Sequence, residues 1–134
     1  MRRGFLVLIM ALAAVTSATA ADIVRTPVWM TIYGSATCSG AALFKGDEVR
    51  AYTADGLLVG RFATAADTSE KYGFMPIYGD DPQSAAKDCA IGGDLLRIVL
   101  YRASEGTERP AQHMTVDPLV WKPATKPQRV DLMF

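Results

Sequence analysis

The chain has 134 residues, half of them hydrophobic, and its 14 basic and 14 acidic side chains give a formal net charge of zero. A domain that binds nucleic acid is expected to carry a basic stripe and an excess of lysine and arginine. Here the charges are balanced and dispersed, so nucleic acid is not an expected partner.

The first predicted element is a signal peptide at residues 1–20. Arg2 and Arg3 give it a positive start, residues 5–15 form an uncharged apolar run, and Ala18-Thr19-Ala20 fits a cleavage site. A membrane anchor is the alternative, but the apolar run is well short of the ~20 residues that a membrane span needs. We therefore expect export, followed by removal of this segment.

The remaining residues, 21–134, are expected to form a single domain. Loss of Arg2 and Arg3 leaves 12 basic and 14 acidic side chains, a net charge of −2. The length is sufficient for one hydrophobic core. Because no further long apolar run follows, we expect a periplasmic or secreted protein that does not insert into the membrane after cleavage.

Seven short strands separated by turns are predicted in this domain. Residues 47–53 alternate, with Val49 and Ala51 on one face and charged side chains on the other. Asp55-Gly56 then predicts a hairpin turn. This spacing is typical of an Ig-like or transthyretin-like β-sandwich, so the predicted fold class is all-β with about seven strands. The predicted strands are residues 28–34, 47–53, 57–63, 71–78, 94–102, 112–116 and 129–134.

Two of these strands carry signals of their position in the sheet. Residues 71–78 include Pro76, which has no N–H for a strand ladder, so we expect this strand to lie at an edge or to end there. Residues 94–102 are apolar on both faces, which indicates a central strand.

The two cysteines, Cys38 and Cys89, predict one disulfide, because exported proteins form disulfides in oxidising compartments. The bond would close a loop of about 50 residues, which the chain-entropy relation values at about 4 kcal/mol. A free buried thiol and an intermolecular bridge are the alternatives. A C-x-x-C motif is absent, so neither a redox motif nor a paired-cysteine metal site is indicated.

One stretch resembles a known family. The segment AYTADGLLVGRF at 51–62, followed by KYGF at 71–74, is similar to the A-Y-D-x-D-G-x-x-x-G and G-x-Y pattern of transthyretin-like, carboxypeptidase-regulatory-like β-sandwich modules of exported bacterial proteins. The later YGDD…GGD of residues 78–94 also looks like segments of such modules. The similarity covers residues 28–102, with Thr53 where an aspartate is common. It implies a stalk, adhesion or accessory role without catalysis.

A candidate metal site is predicted in the loop that follows residue 78. Asp80, Asp81, Asp88 and Asp94 offer the oxygen ligands that Ca²⁺ prefers. Their spacing does not follow the D-x-D-x-D-G loop pattern. The alternative is that these aspartates accept hydrogen bonds within turns.

Catalysis is not expected. His113 is the only histidine and no G-x-S-x-G motif occurs, so the sequence offers no nucleophile with a histidine base beside it. No enzyme activity is therefore predicted.

A row of aromatic side chains is the other candidate site. Trp29, Tyr33, Tyr52 and Tyr78 are predicted on strand faces opposite the core, where they could bind a sugar or a protein. The alternative is that the tryptophans fill the core and the tyrosines cover its rim.

Taken together, these features predict an exported, non-catalytic binding or accessory protein. Its expected partner is a protein or carbohydrate of the cell envelope, and no cofactor is required. The alternative is a Ca²⁺-binding or metal-responsive periplasmic protein that uses the loop from Asp80 to Asp94.

Overall fold

A computed structural model describes residues 23–81, 83, 87 and 89–134. The predicted signal peptide lies outside the described residues. All regular structure in the described ranges is β-strand, and no helix occurs there, which confirms the all-β prediction. Accordingly, these ranges contain no helix long and apolar enough to cross a membrane.

The described residues form eleven strands, several of them very short. The strands are β1 (Trp29–Thr37), β2 (Leu43–Phe44), β3 (Glu48–Thr53), β4 (Leu58–Ala63), β5 (Thr68–Ser69), β6 (Lys71–Tyr78), β7 (Leu96–Arg102), β8 (Thr107–Pro110), β9 (His113–Met114), β10 (Gln128–Arg129) and β11 (Leu132–Met133). The predicted strands at 28–34, 47–53, 57–63, 71–78 and 94–102 correspond to β1, β3, β4, β6 and β7. Strand β8 falls in a segment for which no strand was predicted, because its four residues are all exposed and give no apolar alternation.

Most strands belong to one curled sheet with the order β8-β7-β3-β4-β6-β1-β11-β9, and β10 also pairs with β1. Strands β2 and β5 form a separate two-stranded ribbon. The two ends of the main sheet, β8 and β9, are separated in the chain only by Ala111 and Gln112. The Ala111 N–H donates to Ile98 on β7, and the Gln112 N–H donates to Met133 on β11. The sheet therefore curls until its two edges meet at one continuous segment.

The hairpin predicted at Asp55-Gly56 joins β3 and β4, which are antiparallel. Gly56 has a φ of +90°, a conformation that side chains with a Cβ rarely adopt. The Thr53 hydroxyl accepts the Leu57 N–H at 3.1 Å and donates to Asp55 at 2.5 Å. Thr53 thus supplies the side-chain contacts of this turn.

The inner face of the curled sheet holds a single core, which includes Val49 and Ala51 of β3, as their alternation predicted. Trp121, on the chain between β9 and β10, closes this core and donates its indole N–H to the Ile77 carbonyl at 2.9 Å. The Tyr72 hydroxyl donates to the Val130 carbonyl within the core. Burial raises the pKa of Tyr72, and the nearby Asp131 carboxylate adds to this effect.

The expectation that residues 71–78 form an edge strand is wrong, because β6 lies between β1 and β4. The ladder beside Pro76 is nevertheless sparse. On the β4 side, β6 pairs in register only at Gly60 and Ile77. The missing N–H of Pro76 is tolerated in the sheet interior because few ladder bonds form on that side.

Candidate binding surface

The outer face of β1 and β6 carries a row of aromatic side chains. Trp29 pairs with Tyr78 and Thr31 pairs with Pro76 across the two strands. Tyr33 lies beside Phe74, with ring centroids 5.2 Å apart. We call this surface the aromatic face and define it by Trp29, Thr31, Tyr33, Phe74, Pro76 and Tyr78.

A β-bulge shapes this face. The β1–β6 register shifts between Ile32 and Gly34, so that Tyr33 stands opposite both Gly73 and Phe74. Gly73 has a φ of +100°, and a Cβ built there would lie 2.7 Å from the Cβ of Tyr33. The extra residue turns Phe74 outward while Tyr72 enters the core, where it is 3% exposed. Glycine at 73 therefore permits the aromatic pair beside it.

Two rings of the aromatic face are largely exposed to solvent. Trp29 is 48% exposed and Phe74 is 65% exposed, whereas Tyr33 and Tyr78 are half-buried. The rings of Trp29 and Tyr78 meet edge to face, with centroids 6.5 Å apart. Rings that pack against one another along a strand pair are held in place before any partner arrives, and contiguous exposed apolar patches commonly mark interaction sites.

A cationic hollow of about 320 Å³ lies at one end of the aromatic face. Arg25, Arg61, Pro76 and Tyr78 line it together with Ile23. The Arg61 Nε lies 4.0 Å from a Glu48 carboxylate oxygen, a distance at the limit of an ion pair. Within the described residues, Arg25 forms no ion pair. This end of the face therefore carries a net positive charge.

A second hollow, of about 350 Å³, lies at the other end beside Tyr33 and Phe74. Lys71 and Arg129 line it. Arg129 pairs with Asp131 at 3.2 Å, while Lys71 has no ion pair in the part of the chain that the structure describes. The aromatic face is therefore bounded by cations at both ends.

Tyr52, which the sequence grouped with the other aromatics, lies elsewhere on the outer surface, on β3. Its hydroxyl donates to Glu108 at 2.5 Å. Burial and this carboxylate raise the pKa of Tyr52. The Arg50 guanidinium binds Glu48 and Glu108 and stacks 4.0 Å from the ring of Tyr101. Because these groups form hydrogen bonds and ion pairs with one another, Tyr52 belongs to a separate polar network and is not part of the aromatic face.

Two aspartates of the predicted metal loop, Asp81 and Asp94, take part in turn contacts. Asp81 accepts the Gln83 N–H at 2.9 Å, which is a turn bond. Asp94 accepts the Ile91 N–H at 2.9 Å and pairs with Lys87 at 3.1 Å. Asp80 is half-buried, and Asp88 lies outside the described residues. Among the described residues, no three histidine, cysteine or carboxylate side chains come together. Turn chemistry therefore accounts for the positions of Asp81 and Asp94.

The predicted disulfide between Cys38 and Cys89 is wrong, because the structure holds the two buried thiols at opposite ends of β1 with no bond between them. Cys38 directly follows β1, and its sulfur accepts a hydrogen bond from Arg109 at 3.8 Å. Cys89 precedes Ala90, which bridges to Gly79 beside the start of β1.

The length of β1 explains why the two cysteines cannot pair. This strand has nine residues. At the rise of a β-strand it separates the cysteines by about 30 Å. A disulfide needs Cα atoms within about 7 Å. Both side chains are buried, so of the two alternatives the structure supports buried thiols that form no disulfide.

Two groups of residues on this surface were missed by sequence reasoning, namely Phe74 and the four flanking cations. Strict alternation would place Tyr72 and Phe74 on the same face, and only the bulge at Gly73 separates them. His113 is exposed on β9, away from these residues in the strand order.

No family model, no curated protein and no solved structure matches this chain. Function is therefore inferred from the residues of this chain alone.

Proposed function

We propose that this chain is a non-catalytic binding domain and that the aromatic face is its binding surface. The observation that carries the proposal is the exposure of Trp29 and Phe74 on a face where each ring packs against a tyrosine. Large hydrophobic side chains exposed in this way lose contact with water only when a partner covers them, and covering them is favourable.

The scaffold favours binding because it holds the rings rigidly. Strand β1 pairs with β6 on one side and with β10 and β11 on the other, so ordering the face costs little at the moment of binding. Aromatic side chains have only two rotatable side-chain bonds, and they give a large contact area at low entropic cost. The side chains on this face offer apolar contact area and hydroxyl groups for hydrogen bonds. These features suit ligand recognition better than catalysis.

We also propose that the domain is a transthyretin-like or Ig-like sandwich of an exported protein. The sparse β4–β6 junction, a single register pair at Gly60 and Ile77, supports this assignment. It divides the curled sheet into two halves, β4-β3-β7-β8 and β6-β1-β11-β9, whose inner faces share one core. Export is proposed from residues 1–20. Ca²⁺ binding by the loop from Asp80 to Asp94 gains no support, since Asp81 and Asp94 are used in turns.

The proposal is tested by measuring binding of the purified protein to immobilised cell-envelope and polysaccharide polymers, including peptidoglycan sacculi, cellulose and polygalacturonate. At least one polymer should bind, and the variants Trp29→Ala and Phe74→Ala should each weaken that binding about tenfold or more. Leu95→Ala is the matched control, because Leu95 is 53% exposed and lies outside the aromatic face.

Two results would contradict the proposal. One is binding that Trp29→Ala and Phe74→Ala leave unchanged, which would place the binding surface elsewhere. The other is a complete lack of binding across the panel by a protein whose melting curve shows that it is folded.

A further inference from the structure

We infer that the ligand of the aromatic face is an anionic polysaccharide chain that lies along β1 and β6. This inference rests on the proposed function and adds the chemical class of the ligand. It depends on two features together: exposed rings repeated along the face, and cations at both of its ends.

The shape of the face suits a linear polymer. From Trp29 to Tyr33 the strand advances four residues, or about 13 Å. The two most exposed rings of the face, Trp29 and Phe74, lie towards opposite ends of this length. The smaller side chains of Thr31 and Pro76 lie between them. Sites for small molecules are usually concave and enclose most of the ligand. An open face with rings at two places is instead suited to a chain whose successive sugar rings can stack on both.

The charges at the ends of the face indicate that the polymer is acidic. Arg25 and Arg61 line the hollow beside Tyr78, and Lys71 and Arg129 line the hollow beside Phe74. Of the nearby carboxylates, Asp131 pairs with Arg129 at 3.2 Å, and Glu48 binds Arg50 at 2.6 Å while lying 4.0 Å from Arg61. Two cations, Arg25 and Lys71, have no ion pair among the described residues and are available to carboxylate or sulfate groups of a ligand.

Other polymers fit this surface less well. Protein partners are usually anchored by side chains that enter fully desolvated pockets, whereas the aromatic face is open. Single-stranded nucleic acid also stacks on aromatic rings, but its binding depends on a continuous basic groove. Here the four cations line two separate hollows and not one groove, and the chain as a whole has no net positive charge.

The inference is tested with sodium polygalacturonate and with its carboxyl-reduced form, which has the same linkage and no charge. The acidic polymer should bind about tenfold or more tightly than the neutral one, and its binding should weaken as salt is added. Phe74→Ala, Arg25→Glu and Lys71→Glu should each weaken binding about tenfold. Leu95→Ala and Lys45→Glu are the matched controls and should bind like the wild type. Melting curves establish that every variant is folded.

Several results would overturn the inference while leaving the proposed function intact. One is equal binding of the neutral polymer, lost in Phe74→Ala but kept in Arg25→Glu. Another is tighter binding of oligothymidylate or of polyglutamate than of polygalacturonate. A third is a dimer in sedimentation experiments that Phe74→Ala abolishes, which would assign the face to a second copy of the chain. Absence of binding to all four probes, with no dimer, would overturn the inference and count against the proposed function as well.

Discussion

The indole ring of Trp121 closes over the backbone of Gly79 so tightly that a Cβ built at Gly79 would lie 2.2 Å from the ring. Trp121 is 4% exposed and is held by its hydrogen bond to Ile77, so the ring cannot move aside without disturbing the core. We expect Gly79→Ala to lower the free energy of unfolding by about 1–3 kcal/mol, as overpacking in a close-packed core does. Denaturant unfolding measures this directly.

Gly92→Ala is the matched control for that experiment. A Cβ at Gly92 meets nothing within 4 Å. Alanine there should leave the free energy of unfolding within about 0.5 kcal/mol of the wild type. If the two variants were equally stable, the close approach of Trp121 to Gly79 would be contradicted.

Replacing the two tryptophans should lower the stability of the fold by very different amounts. Trp121→Ala removes a buried ring and should cost about 3–5 kcal/mol of stability. Trp29→Ala removes a ring that is 48% exposed and loses mainly its contact with Tyr78, so it should cost about 1 kcal/mol or less. Thermal melts of both variants check this. A large loss of stability in Trp29→Ala would mean that Trp29 belongs to the core and not to the aromatic face.

Alternation and turn chemistry allowed much of the fold to be predicted. Val49 and Ala51 point inward, and Asp55-Gly56 forms the hairpin, because both signals depend on neighbours in the chain. The closure of the sheet could not be predicted in this way. It depends on the pairing of β8 with β7 and of β9 with β11. The strand predicted at 112–116 contains β9, but the four residues of β8 are all exposed and carry no apolar pattern.

The candidate site was predicted only in part, for a related reason. Trp29, Tyr33 and Tyr78 were assigned to the outer face, and they lie there. Phe74 was missed because its orientation depends on a bulge that strict alternation does not predict. The cysteine pairing failed because a count of cysteines carries no information on distance, and β1 keeps the two ends apart.

The cysteines should behave as two independent buried thiols. In the non-reduced protein unfolded in guanidinium chloride, a thiol reagent should detect both Cys38 and Cys89, whereas the native protein should react slowly because both side chains are buried. Reducing agent should leave the melting temperature unchanged, since no loop is closed by a covalent bond. Detection of no thiols in the unfolded protein would contradict the structure at both ends of β1.

Acid should weaken the contact between the C-terminal segment and β1 through Asp131. The Ser35 N–H donates to Asp131 at 2.9 Å, and this bond, helped by Arg129, holds the pKa of Asp131 below its ordinary value of 3.8. Because the folded-state pKa is lower than the unfolded-state pKa, the carboxylate stabilises the fold above the unfolded value, and this contribution is lost as the pH falls through the folded value. Asp131→Asn keeps an oxygen that can accept the Ser35 N–H but cannot titrate. The free energy of unfolding should therefore fall less steeply between about pH 4 and pH 2 in Asp131→Asn than in the wild type.

Asp67→Asn, a change at an exposed aspartate away from this contact, should keep the wild-type slope. Equal slopes in all three proteins would mean that the carboxylate of Asp131 does not hold the C-terminal segment to β1.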